Sequence, residues 1–307
     1  MPALFLAALL PWLYWDQGTT TASAVKQAGI HRLHVPPDQV AAWQAEGFDA
    51  RGSDPAQFVK IQALGVVYRM DEANATNTPW VDGNGWRFER DSKARYYYDT
   101  KWRKATLAAA EAYTYGVEAV VHPDPRDLGA FARMLAFLRA IDRPSLPVMA
   151  NIGIIDDRSD ETGEVMNLLA RRNLLFRVIP APDPQYDLTV KIGTKEYPKE
   201  EAEDPGAFAT GIRQKLTDEK RLLRIYGSDV VLGRVTGDGG QVRLHLINYG
   251  GNKVDGLRVR VRGEYARGTL AAFEEANTLL ADYAVAGGAT EFSIPEMGVY
   301  AVVDLKK

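Results

Sequence analysis

Residues 101–141 read KWRKATLAAAEAYTYGVEAVVHPDPRDLGAFARMLAFLRAI, and this stretch decides the fold class. Its first part, 101–115, is rich in alanine, a strong helix former, and Gly116 stands where a helix end favours a left-handed backbone. Residues 117–121 form a short apolar run of strand length, and 127–141 repeat apolar residues at helical spacing. A buried strand between two helices is the unit from which parallel sheets are built.

The same alternation extends in both directions. Leu13-Tyr14-Trp15 is strand-like and ends at Asp16. Residues 21–28 read as a helix closed by Gly29, and 31–35 as a strand stopped by Pro36-Pro37, after which Asp38 caps a helix through Trp43. The apolar-rich run 64–70 suits a parallel strand buried on both faces. Downstream, 147–155 is a strand ending at Asp156-Asp157, followed by a helix over 161–172. Strands at 175–179 and 188–192 come next, then a helix at 205–216 capped by Asp204.

Seven or eight such strands favour an α/β fold, a TIM-like (β/α) barrel over residues 11–223. The competing topology splits this region near Pro147 into a partial barrel and a flavodoxin-like segment. From Ile225 the period changes to two, with short strands divided by turns such as Gly237-Asp238-Gly239-Gly240. Residues 224–307 therefore read as a small antiparallel β-sandwich.

Composition narrows the function. The chain has 307 residues, a formal net charge of −3 and 25% charged residues, with both signs well mixed. Nothing in that balance draws nucleic acid or an anionic membrane. Cysteine is absent and there are four histidines, so no metal site is expected, and no cofactor. Gly-rich nucleotide fingerprints and the G-x-S-x-G elbow are missing. The apolar residues 1–10 read as a signal-peptide remnant, too short to span a bilayer, which points to an extracytoplasmic location. Oligomeric state is not legible.

In a barrel the site lies at the carboxyl ends of the strands, where Asp16, Asp71, Glu72, Asp124, Asp156 and Asp157 fall. Paired carboxylates there suit acid/base hydrolysis of a glycosidic bond, while the plainer reading of each is an Asp that caps the next helix. The long aromatic insertion, 71–100, carries Trp80, Asp82, Asn84, Trp86, Arg87 and Tyr97. Indole and phenol faces stack on pyranose rings while Asp, Asn and Arg bond the hydroxyls. Its alternative is a β-hairpin turned on Asp82-Gly83-Asn84-Gly85, with the tryptophans packed as a lid. Trp15 reads either as an aromatic platform beside Asp16 or as a core residue. Glu111 reads either as pointing at the site or, the plainer reading, as lying on a solvated helix face, and His34 and His122 as structural histidines.

Leu13-Tyr14-Trp15-Asp16, the aromatic insertion after Met70 and the terminal Ile294-Pro295-Glu296-Met297-Gly298-Val299-Tyr300-Ala301 give a layout that resembles the (β/α)-barrel glycoside hydrolases with a C-terminal β-sandwich. The stretch 140–200 also resembles the flavodoxin-like domain that follows the barrel in some of these enzymes. Members usually show Asn-Glu at the fourth strand end and a Glu late in the barrel; here the fourth site reads Asp71-Glu72 and no late strand ends in such a Glu. The resemblance implies hydrolysis of an oligo- or polysaccharide, with Asp82 or Glu72 as general acid and Asp156 or Asp16 as the second carboxylate. Trp15, Trp80, Asn84, Trp86, Arg87, Tyr97, Asp71 and Asp157 would hold the sugar. The alternative is a carbohydrate-binding or scaffold protein on a degenerate barrel.

Overall fold

The alternation expected around residue 117 is present as a six-stranded parallel sheet. A computed structural model describes residues 10–61, 64–68, 79–141 and 146–307. Asp71, Glu72, Met70 and residues 1–9 lie outside the described residues. The chain divides into two compact units, Met1–Gly65 with Asp91–Ser145, and Val66–Arg90 with Leu146–Lys307.

In chain order the first strands are β1 (Trp12–Tyr14), β2 (Arg32–Val35), β3 (Asp49–Gly52) and β4 (Val59–Lys60). They are followed by β5 (Gly65–Tyr68), β6 (Pro79–Asp82), β7 (Arg95–Asp99) and β8 (Glu118–His122). The first unit's sheet has the order β3-β2-β1-β8-β7-β4, every neighbouring pair parallel. β3 and β4 occupy opposite edges yet are joined by a short link containing a 3₁₀ turn, Pro55–Gln57. Across a flat sheet those edges would stand about 24 Å apart. A link that includes a 3₁₀ turn rising about 2 Å per residue cannot reach that far. The sheet therefore curls, and no ladder joins β3 to β4 among the described residues. Among the described residues this is a curled parallel sheet, and no closed barrel is shown.

Strand register sorts the side chains by face. Tyr14 pairs with His34, Trp12 and Tyr97 both with Val120, and Asp99 with His122, so these share one face. Phe58, arriving from the β3–β4 link, packs against Tyr14, Tyr97 and Val120 in that interior. Helix Ala105–Tyr115 is buried almost throughout because its alanines allow close approach. Gly116 ends it at φ 66, the left-handed backbone its position required.

Two expectations need correction here. β5 belongs to a two-stranded sheet with β6, outside the parallel sheet, and Val67 is half exposed rather than buried on both faces. The stretch Asp82–Gly85 is no hairpin turn: helix Gly85–Arg90 begins there, with the Asn84 carbonyl accepting from the amides of Arg87 and Phe88.

In the second unit, β9 (Ile152–Ile154) lies between β10 (Phe176–Val178) and β11 (Leu188–Val190), parallel to both. Helices Asp160–Arg171 and Pro205–Leu216 pack in the same core. Gly153 on β9 has no room for a Cβ, which would clash with Ile179 Cδ1. β9, β10 and β11 thus make a parallel sheet of their own.

The remaining strands are β12 (Leu223–Tyr226), β13 (Val231–Gly237), β14 (Gln241–Asn248) and β15 (Val254–Arg262), then β16 (Arg267–Ala272), β17 (Ala281–Ala286), β18 (Ala289–Met297) and β19 (Tyr300–Lys306). They form two antiparallel sheets, β12-β15-β18-β17 and β13-β14-β19-β16, enclosing one apolar core that includes Leu244, Val259 and Phe292. The antiparallel sandwich read from the period-two pattern is present.

Candidate functional site

Three neighbouring strands, β1, β8 and β7, bring their carboxyl ends together at the rim of the curled sheet. His122, the last residue of β8, has Nδ1 3.1 Å from Asp99 Oδ1 and Nε2 3.3 Å from Asp16 Oδ1. Asp99 ends β7, and Asp16 lies two residues beyond β1. Opposite nitrogens of one imidazole thus face two carboxylates. Gln17 also donates to Asp16 at 2.6 Å.

Beneath this rim lie two phenols. Tyr14 and Tyr97 meet edge-to-face at 5.5 Å, and both rings contact His122, at 5.5 and 6.2 Å. Each residue is only 6% exposed, and neither hydroxyl has a hydrogen-bond partner among the described residues. Burial first, then the charges of Asp16, Asp54 and Asp38, raise the Tyr14 phenol above its usual range. Tyr97 is raised by burial and then by Asp99, Tyr14 and Asp16. Both phenols are therefore neutral donors and acceptors close to a group of strand-end carboxylates.

Of the expected residues in this unit, Asp16 and Tyr97 fall at the rim. Trp15 is a core side chain whose Nε1 donates to Thr21 Oγ1 at 2.8 Å, so it offers no open platform. Asp124 closes its own turn, accepting from Arg126 N and from the Arg126 guanidinium. Those bonds hold its carboxyl down to about 2. Glu111 is fully buried, not solvated, and accepts from Tyr98 Oη at 2.7 Å. His34 is structural: it contacts Ser53 Oγ and packs edge-on to Trp12, and burial with the nearby Arg51 lowers it to about 4.

The second unit holds Trp80, Asp82, Asn84, Trp86, Arg87, Asp156 and Asp157. Trp86 is part of the apolar core with Ile154 and Val165, and the Arg87 guanidinium stacks on its ring at 4.2 Å. Arg171 lies over Trp80 at 3.3 Å, and Asn84 is buried at the start of helix Gly85–Arg90. Packing thus accounts for much of the aromatic insertion. Asp156 is held by Arg90 through two hydrogen bonds and accepts from Arg158 N. Asp157 accepts from Ser159 N and Oγ, and despite the opposing effect of burial these bonds and Thr162 lower its carboxyl. Both residues shape the turn into helix Asp160–Arg171, which Ser159 caps. Asp82 is half-buried at the end of β6.

Sequence reasoning passed over Asp99 as a rim residue and read His122 as structural only. Asp99 closes the run Tyr96-Tyr97-Tyr98-Asp99, an aromatic run followed by a carboxylate like the one that singled out Asp16, and that was the available signal. Trp102 was also missed. It follows β7, is 46% exposed, and meets the guanidinium groups of Arg103 and Arg126 at 4.1 and 4.7 Å. No group of three or more His, Asp or Glu able to hold a metal ion occurs among the described residues. No helix among them is long and apolar enough to cross a membrane.

No family model and no curated protein matches the sequence. Solved structures do match. An α-L-fucosidase, isoenzyme 2 from Paenibacillus thiaminolyticus, is 7% identical over 69% of this chain and 60% of that one, with a TM-score of 0.53. A rhamnosidase from Novosphingobium sp. PP1Y is 11% identical over 69% and 31%, with a TM-score of 0.46. A β-galactosidase from Rahnella sp. R3 is 9% identical over 90% and 63%, with a TM-score of 0.44. The chain thus spans less than two thirds of each of these enzymes. At 7% identity the likeness to the fucosidase is one of fold.

Proposed function

We propose that this chain is a glycoside hydrolase acting on an oligo- or polysaccharide at the carboxyl edge of the curled sheet. The observation that carries the reading is the convergence of Asp16 and Asp99 on His122 beside the unpartnered phenols of Tyr14 and Tyr97. Glycoside hydrolysis needs one carboxyl that gives a proton to the leaving oxygen and one that attacks or activates water. Asp16 retains its expected place in such a pair, and Asp99 becomes its partner. The imidazole between them keeps the carboxylates from direct contact with each other. Asp82 belongs to the second unit and keeps its expected role as general acid on the resemblance alone. Glu72 keeps its expected role on the resemblance alone.

The test is to incubate the protein, Asp16→Asn and Asp99→Asn with a panel of oligo- and polysaccharides, reading new reducing ends and thermal shift. Turnover that falls at least about a hundredfold in both variants, with melting unchanged, supports the pair. A second reading is a carbohydrate-binding protein without turnover. It is favoured by the engagement of Asp124 and Asp156 with arginines. Thermal shifts without products would select it.

A further inference from the structure

Helix Pro205–Leu216 in the second unit forms one wall of a pocket of about 350 Å³, a size that suits a small molecule. Phe208, Gly211 and Ile212 fall at helical spacing and share the face that lines it. Phe208 and Ile212 belong to the unit's apolar core and give the pocket an apolar floor. Gly211 keeps it deep, because a Cβ there would meet nothing within 4 Å. Tyr197 and, from the short helix Lys199–Ala202, Glu200 line it as well, together with Glu201.

Two features set the polarity of this pocket. Tyr197 is 3% exposed, and its hydroxyl is buried with no hydrogen-bond partner among the described residues. Glu196, next to it in the chain, is drawn to the Lys215 ammonium at 3.8 Å, and that ammonium lies over the Tyr197 ring at 4.2 Å. Burial first, then Glu196, push the phenol up to about 12, so it stays a neutral hydroxyl. Buried polar groups are normally satisfied, and one that is not marks a place where something else bonds. The second feature is charge. The carboxylates of Glu200 and Glu201 have no partner among the described residues, whereas Asp204 accepts from Ala207 N and Lys215 is offset by Glu196.

Uncommitted carboxylates above an apolar floor are met by a ligand that is cationic at one end and apolar at the other. An ammonium brings a positive charge and three donors, which the carboxylates and the phenol oxygen can accept. The apolar end gains by leaving water. We infer that this pocket binds a small organic amine, its apolar body lying on Phe208 and Ile212 over Gly211 and its ammonium held by Glu200, Glu201 and the Tyr197 hydroxyl. The site is independent of the carbohydrate reading above.

The experiment is calorimetric titration of the full chain with phenethylamine, phenethyl alcohol and hydrocinnamate, which share one apolar body and differ in charge. Phenethylamine should bind at least about ten times more tightly than the alcohol, and hydrocinnamate weakest of the three. Gly211→Leu fills the open space with a residue that favours the helix, so amine binding should fall at least about tenfold while melting stays level or rises. In a Glu200→Gln, Glu201→Gln variant the preference for amine over alcohol should shrink to near one. Tyr197→Phe should weaken the amine severalfold and leave the melting of the free protein unchanged, because the hydroxyl has no partner to lose. Equal binding of amine and alcohol would overturn the selection of a cation. Undiminished binding in Gly211→Leu, or no saturable binding of the amine by the parent protein, would overturn the site itself.

Discussion

Arg90 grips Asp156 through Nε and Nη2 at 2.9 and 2.8 Å, a two-point ion pair in which the aspartate side chain is only 3% exposed. The same guanidinium donates to the Ser159 carbonyl at 2.6 Å, so one arginine joins helix Gly85–Arg90 to the turn before helix Asp160–Arg171. Removing one partner of a buried pair strands the other, which costs about 3–5 kcal/mol. Arg90→Ala should lower stability by about 3 kcal/mol in urea unfolding. Asp156→Asn keeps one acceptor oxygen, for Arg90 Nη2 and Arg158 N, but loses the acceptor for Arg90 Nε, and should cost somewhat less than that. If Asp156→Asn instead abolished turnover in a fully folded protein, the residue would have a chemical role that its geometry does not suggest.

Acid should weaken the first unit through His34. Its folded pKa of about 4 lies below the usual 6.5 because burial and Arg51 disfavour the charged ring. Above pH 6.5 both folded and unfolded states hold it neutral. As pH falls from 6.5 towards 4 the unfolded chain takes up the proton first, so stability drops across that window, by an amount on the order of 3 kcal/mol. His34→Gln should flatten that part of the stability–pH curve, measured by urea unfolding at closely spaced pH values. An unchanged slope would mean that another group carries the acid response.

Much of the fold was legible because local signals agreed with the tertiary arrangement. Asp204 caps the helix Pro205–Leu216 at the expected residues, accepting from Ala207 N at 2.9 Å, and the period-two pattern after Ile225 became a sandwich. What escaped was β3, β4 and β7. β4 is two residues long, and β7 reads Arg-Tyr-Tyr-Tyr-Asp, where tyrosine serves both faces: Tyr97 enters the curl while Tyr98 bonds Glu111 on the helix side. Aromatic residues that pack on either face leave no alternation to detect. The site was half legible. Asp16 stood out as a strand-end acid, but His122 gained its partners only through the β1–β8–β7 order, a long-range pairing that no local window contains.

Asn173 ties helix Asp160–Arg171 to the sandwich edge and should be costly to replace. It sits at φ 53, donates to the Val231 carbonyl at 3.0 Å and accepts from Gly233 N at 2.7 Å. Asn173→Ala loses both bonds and keeps the left-handed strain, for a loss of about 3 kcal/mol. Asn173→Gly relieves the strain and should recover about 1 kcal/mol of it. Equal losses in the two variants, read from urea midpoints, would assign the whole effect to the hydrogen bonds.

Trp102 should report ligand binding at the rim. It lies three residues beyond β7, is 46% exposed, and contacts Arg126, which is itself anchored by Asp124 on the β8 loop. An exposed indole at a strand end is available to stack on a pyranose face once an arginine moves aside, and the change of neighbour alters its fluorescence. Saccharide titration should therefore shift tryptophan emission in the parent protein. Trp102→Ala should remove most of that shift and weaken binding about tenfold, roughly 1.4 kcal/mol. Melting should stay nearly unchanged, because surface substitutions of this kind usually move stability by no more than about 0.5 kcal/mol. Undiminished affinity in Trp102→Ala would place the sugar away from the β7–β8 side of the rim, towards Asp16.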